Sequence, residues 1–246
     1  MSNYPHTLLY KWLIGNSFAA LFVYTTWLQG WIELTIRSDA SYMSVAMAVV
    51  FLIFWTISSA QVILLDREFA RFASADPKGV AAEYFEKLRR KFKAWGQAAL
   101  DQSTLASTLR IRLMAPVHVV GTVSNFLVLI GLIGTVVGFV IAVSGLGDSV
   151  VQADNIERVK SALGQIINGM GVALFTTLVG SILGGLWLQV HYHLLSRGVT
   201  TLVVEIVEHA ELEFLPALAG KAPAESGVPA PPARRGIAGS AAREPA

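Results

Sequence analysis

Four stretches of the chain are free of Asp, Glu, Lys and Arg: Trp12–Ile32, Ala40–Leu65, Leu113–Gly147 and Ser161–Ser196. A bilayer core is crossed by about 20 apolar residues in a helix, so each can span it. The first lies between Lys11 and Glu33, the second between Asp39 and Asp66. The last two run to about 35 residues, enough to continue past the membrane or tilt within it. Between spans two and three, Asp76-Pro77 is a predicted helix start. Phe85, Leu88, Phe92 and Trp95 then give a stripe at helical spacing, and Pro116 is predicted to interrupt just before span three. After span four, Leu202, Ile206, His209 and Leu212 keep a helical spacing toward Phe214. From Pro216 onward Pro, Ala and Gly dominate, which predicts a disordered tail.

The expected architecture is therefore an all-α membrane protein with four transmembrane helices and helical cytoplasmic extensions. Residues 1–65 form an N-terminal transmembrane hairpin and 66–115 a cytoplasmic helical segment. Residues 116–196 carry helices three and four, 197–215 a cytoplasmic helix and 216–246 the tail. Composition agrees: 54% hydrophobic residues and a mean hydropathy of +0.55 exceed what an ordinary soluble domain carries, and 15% charged falls below it. Lys11 is the one Lys or Arg before the first span and no clear small-residue cleavage site follows it, so that span is expected to be retained. Absence of cysteine excludes disulfides and thiolate metal sites.

Charge placement sets the orientation. Asp66–Arg112 carries ten of the nineteen Lys and Arg residues, whereas Glu33–Asp39 holds only Arg37 and the loop Asp148–Lys160 only Arg158 and Lys160. The positive-inside rule puts Asp66–Arg112 in the cytoplasm, and four spans put both termini there. Arg89, Arg90 and Lys91 read either as an orientation signal on a solvated helix or as a docking surface for a cytoplasmic partner.

The third and fourth spans carry glycine-spaced threonines: G-L-I-G-T-V-V-G at Gly131–Gly138 and A-L-F-T-T-L-V-G at Ala173–Gly180. Gly134 and Gly138, with Gly131 a turn earlier, and Gly180 with Gly184 are small-residue faces that let helix backbones approach closely in lipid. Thr135 lies about 15 Å below the outer end of span three and Thr177 about 18 Å into span four, at 1.5 Å per residue. Both fall near the midplane. Each either bonds the carbonyl four residues back or contributes to a polar path; Thr176 projects elsewhere.

The remaining polar groups are ambiguous. Asn125 is either a hydrogen bond between helices or part of a polar path. Gln165 and Asn168 share a face near the outer end, as a vestibule or in interfacial water. His118 and Gln189 also fall in the spans. His191 and His193 are two apart and point in different directions, against a metal site, and are expected at the inner headgroup level. No span contains an ionisable Asp, Glu, Lys or Arg, so a proton conduit built here needs a carboxylate from another polypeptide.

The paired motifs, in order after a basic segment, resemble the MotA/TolQ/ExbB proton-channel family over roughly Pro116–Leu195. The four-span topology is similar to the MotA branch rather than to the three-span TolQ and ExbB branch. The resemblance implies a homopentamer around two copies of a MotB-, TolR- or ExbD-like partner, whose single transmembrane helix bears an essential aspartate. Proton entry beside that aspartate, or sodium in its place, drives relative rotation of the two rings. By position, Thr135 and Thr177 are implied to face the partner and the ion path, and Thr176, which matches an extra threonine on the MotA side, is grouped with them as facing the partner or ion path. TolQ and ExbB relatives carry a glutamate where Val172 stands, and the cytoplasmic segment is shorter than in flagellar stators. The implied location is the bacterial inner membrane.

A substrate transporter would need an intramembrane charge or interrupted helices, and neither is evident. A non-conducting scaffold would leave the threonines idle. Without a P-loop, an H-E-x-x-H or a cysteine nucleophile, no catalytic residue, metal or cofactor is expected. Gly145-Leu146-Gly147 lacks the third glycine of a dinucleotide loop, and no nucleic-acid motif is visible.

Overall fold

A computed structural model describes residues 7–39, 41–74, 78–96, 101–150 and 156–220. Among them every regular element is helical. Three runs are long and apolar enough to cross a membrane: Met43–Ala73, Ser103–Ser144 and Val159–Leu218. They match predicted spans two to four. Large apolar side chains such as Leu52, Val136, Phe139, Leu163 and Leu174 stand uncovered along them, as contact with lipid demands.

The first predicted span forms α1 (Thr7–Leu28), 22 residues and about 33 Å long. Lys11, Asn16 and several Tyr and Trp residues interrupt its apolar run, and it is not among those three. Gly30, at φ 74°, makes the left-handed turn that ends α1. The stretch beyond it, read from sequence as a short loop, is the helix α2 (Trp31–Ser38). Asp39 then starts α3 (Met43–Ala73). Its carboxylate accepts from the Ser41 N–H (3.1 Å), the Ser41 hydroxyl (2.5 Å) and the Ser44 N–H (2.6 Å). Burial opposes the charge, but these donors outweigh it and hold the carboxyl below its usual range.

Helix α4 (Val80–Trp95) follows Gly79, and its first N–H, on Val80, donates to Glu68 Oε2 at 2.9 Å. The expected start at Asp76-Pro77 lies outside the described residues. Leu88 is fully buried and Phe85 half-buried, while Arg89 and Arg90 point to solvent with Arg90 paired to Glu86. Arg112 binds both oxygens of Glu83 (2.7 and 3.0 Å), joining α4 to the next helix.

That helix, α5 (Ser103–Val150), is 48 residues long and runs through Pro116. The expected interruption is therefore corrected. Proline removes one donor and clashes with the preceding turn, but Met114, Val117 and Val120 are buried against neighbouring helices on both sides of it. Packing outweighs the local penalty. Helix α6 (Ile156–Gly180) antiparallel to α5 continues as a π-helical segment, Ser181–Leu188, then α7 (Gln189–His209), a π-helical turn at Ala210–Phe214, and α8 (Leu215–Gly220). The Asp148–Lys160 loop is thus shorter than expected, since helix reaches Val150 and resumes at Ile156. The last helix also passes Pro216, where the tail was expected to begin. The widened turn just ahead of Pro216 has already shifted the hydrogen-bond register that the proline would break. The tail beyond Gly220 lies outside the described residues.

Val159–Leu218 is 60 residues, about 90 Å, or three hydrocarbon thicknesses. Both long helices therefore leave the membrane at the end where α4 packs. There Val62, Tyr84, Leu88, Leu109, Leu195, Leu202 and Ile206 form the main buried core. A smaller cluster, Met47, Val120, Leu127 and Leu188, joins α3 to the α5–α6 pair within the membrane.

Candidate functional site

The site is the seam between α5 and α6. Its closeness follows from glycine. A Cβ on Gly138 would stand 2.4 Å from the Ala173 nitrogen, and one on Gly134 2.4 Å from Thr176 Oγ1. Gly180 would meet the Leu127 carbonyl at 2.7 Å, Gly184 the Ser124 carbonyl at 2.7 Å, and Gly131 the Thr176 carbonyl at 3.0 Å. Sequence reasoning missed Gly169, whose Cβ would lie 2.4 Å from the Ala142 nitrogen. The signal was present: Gly169 and Ala173, like Gly138 and Ala142, are small residues four apart.

Thr135 and Thr177 meet across this seam, hydroxyl to hydroxyl, and both are half-buried. Thr177 Oγ1 also donates to the Gly131 carbonyl (3.0 Å), across the seam from its own helix. Thr135 Oγ1 reaches the carbonyls of Gly131 and Ala173, each at 3.3 Å. Each hydroxyl carries one proton and two lone pairs, so the pair keeps acceptor capacity after its donors are used.

Helix α3 covers the other side of the seam, where Met47, Val50 and Phe51 pack with Val123, Ile130 and Val179. The threonine pair opens on the side away from α3, among exposed Leu132, Phe139, Met170 and Leu174. This is a broad apolar face with two hydroxyls at its centre.

Thr176 is placed differently from the expectation that it faces a partner or ion path. It is fully buried, its hydroxyl returns to the Val172 carbonyl at 2.7 Å, and its side chain fills the notch left by Gly134. A hydroxyl one residue from Thr177 is turned about 100° round the helix, into the seam. Asn125 and Asn168 are exposed and do not join the pair. Nine residues from Thr177, Asn168 sits about half a turn round α6; ten from Thr135, Asn125 is about 15 Å further along α5. Val172 is fully buried, five residues and about 140° from Thr177, so it is not on the open face.

A second polar point was missed. Buried Ser124 donates to the Gly184 carbonyl (2.8 Å) or to Gln189 Oε1 (2.9 Å), at the π-helical segment. It lies about 16 Å along α5 from Thr135, toward the α4 end. His191 is buried among the helices. Its Nδ1 bonds the Trp187 carbonyl (3.1 Å) and its Nε2 faces the Asn16 amide (3.4 Å). His193 is exposed, and no cluster of metal-ligating side chains occurs among the described residues.

Residues 84–208 match the MotA/TolQ/ExbB proton channel family. That segment contains both threonines, the whole glycine seam and helix α4 from Tyr84 onward. No curated protein and no solved structure matches the chain.

Proposed function

The chain belongs to the MotA/TolQ/ExbB proton channel family, and from that membership we propose that it is an inner-membrane subunit of an ion-driven motor. In this reading α1 is a fourth span, both termini are cytoplasmic, and five copies surround a partner with one transmembrane helix bearing an aspartate. The observation that carries it is the bonded pair Thr135–Thr177 on the open face of the seam, in spans that hold no Asp, Glu, Lys or Arg.

The chemistry follows from what the pair lacks. A proton crossing hydrocarbon needs a group that gains and loses it, and two hydroxyls cannot titrate there. They can orient water, donate to a carboxylate while it is charged, and accept from it once it is protonated. The acid belongs to the partner, and the subunit supplies the wall that the acid passes. Rotation of one ring against the other then presents successive threonine pairs to each aspartate. Sodium in place of protons would use the same oxygens. Buried Val172, where TolQ and ExbB relatives carry glutamate, supports a conduit of the MotA kind.

The test is proton flux into vesicles holding the purified complex. Thr135→Val with Thr177→Val is expected to abolish flux while the complex still assembles. Unchanged flux would refute the role; uptake of a solute by this chain alone would favour a transporter instead.

A further inference from the structure

A groove of about 590 Å³ lies between α1, α3 and the π-helical segment, walled by Ala20, Val23, Trp27, Phe51, Leu52 and Leu183. Ligand sites occupy about 300–1,000 Å³, so its size is that of a binding site. Its polar end is Asn16. There the Trp55 indole N–H donates to Asn16 Oδ1 (3.0 Å), and the Asn16 amide donates to Trp12 O (2.9 Å) and faces His191 Nε2. The His191 Nδ1–H donates in turn to the Trp187 carbonyl. Donors and acceptors alternate along this chain, so the floor is closed to a polar head group and satisfied without one.

The groove's dimensions select its occupant. From Asn16 to Trp27 is eleven residues of α1, about 16 Å. One leaflet of a hydrocarbon core is about 15 Å deep. The aromatic end, Tyr24 and Trp27, is the end nearest the α1–α2 turn, where an aromatic pair at the lipid–water boundary would sit.

We infer that this groove binds a single acyl chain of a membrane lipid, entering beside Trp27 and ending on the Asn16–Trp55–His191 floor. The site rests on the reading of α1 as a span. Bound there, the chain is wedged between α1 and the π-helical segment that directly follows the threonine motif. It couples the lipid environment to the helix that carries Thr177.

The experiment uses the full chain in vesicles of phosphatidylcholine and phosphatidylglycerol, with a phosphatidylcholine bearing a diazirine on its acyl chain. After illumination, adducts are mapped by mass spectrometry. They are expected on Val23, Phe51 and Leu183 in excess over Ile14 and Phe18, which lie on the outer surface of α1. Ala20→Trp, or Leu183→Trp from the opposite wall, should abolish the groove adducts and leave those on Ile14 and Phe18. Adducts spread evenly over α1, or unchanged in both tryptophan variants, would overturn the site. So would a disulfide between copies in Val23→Cys, readable because the chain has no other cysteine. Reaction of Ala20→Cys with a membrane-impermeant maleimide would remove α1 from the bilayer, and the site with it. A protected Ala20→Cys without groove adducts sinks the site alone.

Discussion

The threonines differ more from one another than their spacing suggests. Thr176 is a packing residue whose hydroxyl is satisfied by its own helix, whereas Thr135 and Thr177 share their hydroxyls across two helices. Thr135→Ser keeps the hydroxyl and is expected to keep flux. Thr135→Val should lower it by at least about tenfold, since a hydrogen bond to a charged group contributes about 1.5–3 kcal/mol. Vesicle flux assays separate the two. Thr176→Val should leave flux near the parent value in the same assay, because nothing polar depends on that side chain except its own turn. Glycine behaves in the opposite sense. Gly138→Ala puts a methyl 2.4 Å from the Ala173 backbone, so α5 and α6 must part, at a cost of about 1–3 kcal/mol. Loss of the assembled complex on native gels, with expression retained, is the readout.

At the scale of elements, the long apolar runs and the glycine motifs were legible because both are dictated by lipid: length by bilayer thickness, small residues by close approach. What was not legible depends on tertiary contacts. Pro116 reads as a break until its flanks are seen to be buried. Helix α2 reads as a loop, being eight residues long and held by Gly30 on one side and Asp39 on the other. Asp39 is itself testable. Its folded-state carboxyl lies below the ordinary value, so its contribution is fully present above the unfolded carboxylate pKa and is lost as pH falls through the folded one. Asp39→Ala should weaken the start of α3 by about 1 kcal/mol at neutral pH. Faster hydrogen exchange at Ser44 relative to the parent would report it, and the difference should vanish once acid has protonated Asp39. That His191 and not His193 is covered was not legible, since two histidines near a predicted boundary carry no sign of which one an adjacent helix will cover. Its partner Asn16 comes from α1 and is held in turn by Trp55 of α3.

The whole molecule uses two kinds of packing. Within the membrane, α5 meets α6 and its continuation through backbone-close glycine contacts, because apolar side chains gain nothing there by leaving lipid. Beyond it, water drives burial, and Leu88, Leu202 and Ile206 make an ordinary core between α4, α5 and α7. Ile206→Ala should therefore destabilise the α4 bundle by about 2–5 kcal/mol, seen as a lower melting temperature in detergent. The division leaves one large surface unexplained by either kind of packing: the open side of the seam, with exposed Leu132, Phe139 and Leu174 around the threonine pair. Under the proposed function that surface is the one expected to face the companion helix. A photoreactive amino acid at Leu174, one turn before Thr177, tests this directly in native membranes. The expected product is a covalent adduct with a small single-span protein carrying an aspartate in its helix; adducts with lipid alone would contradict the assignment of this face.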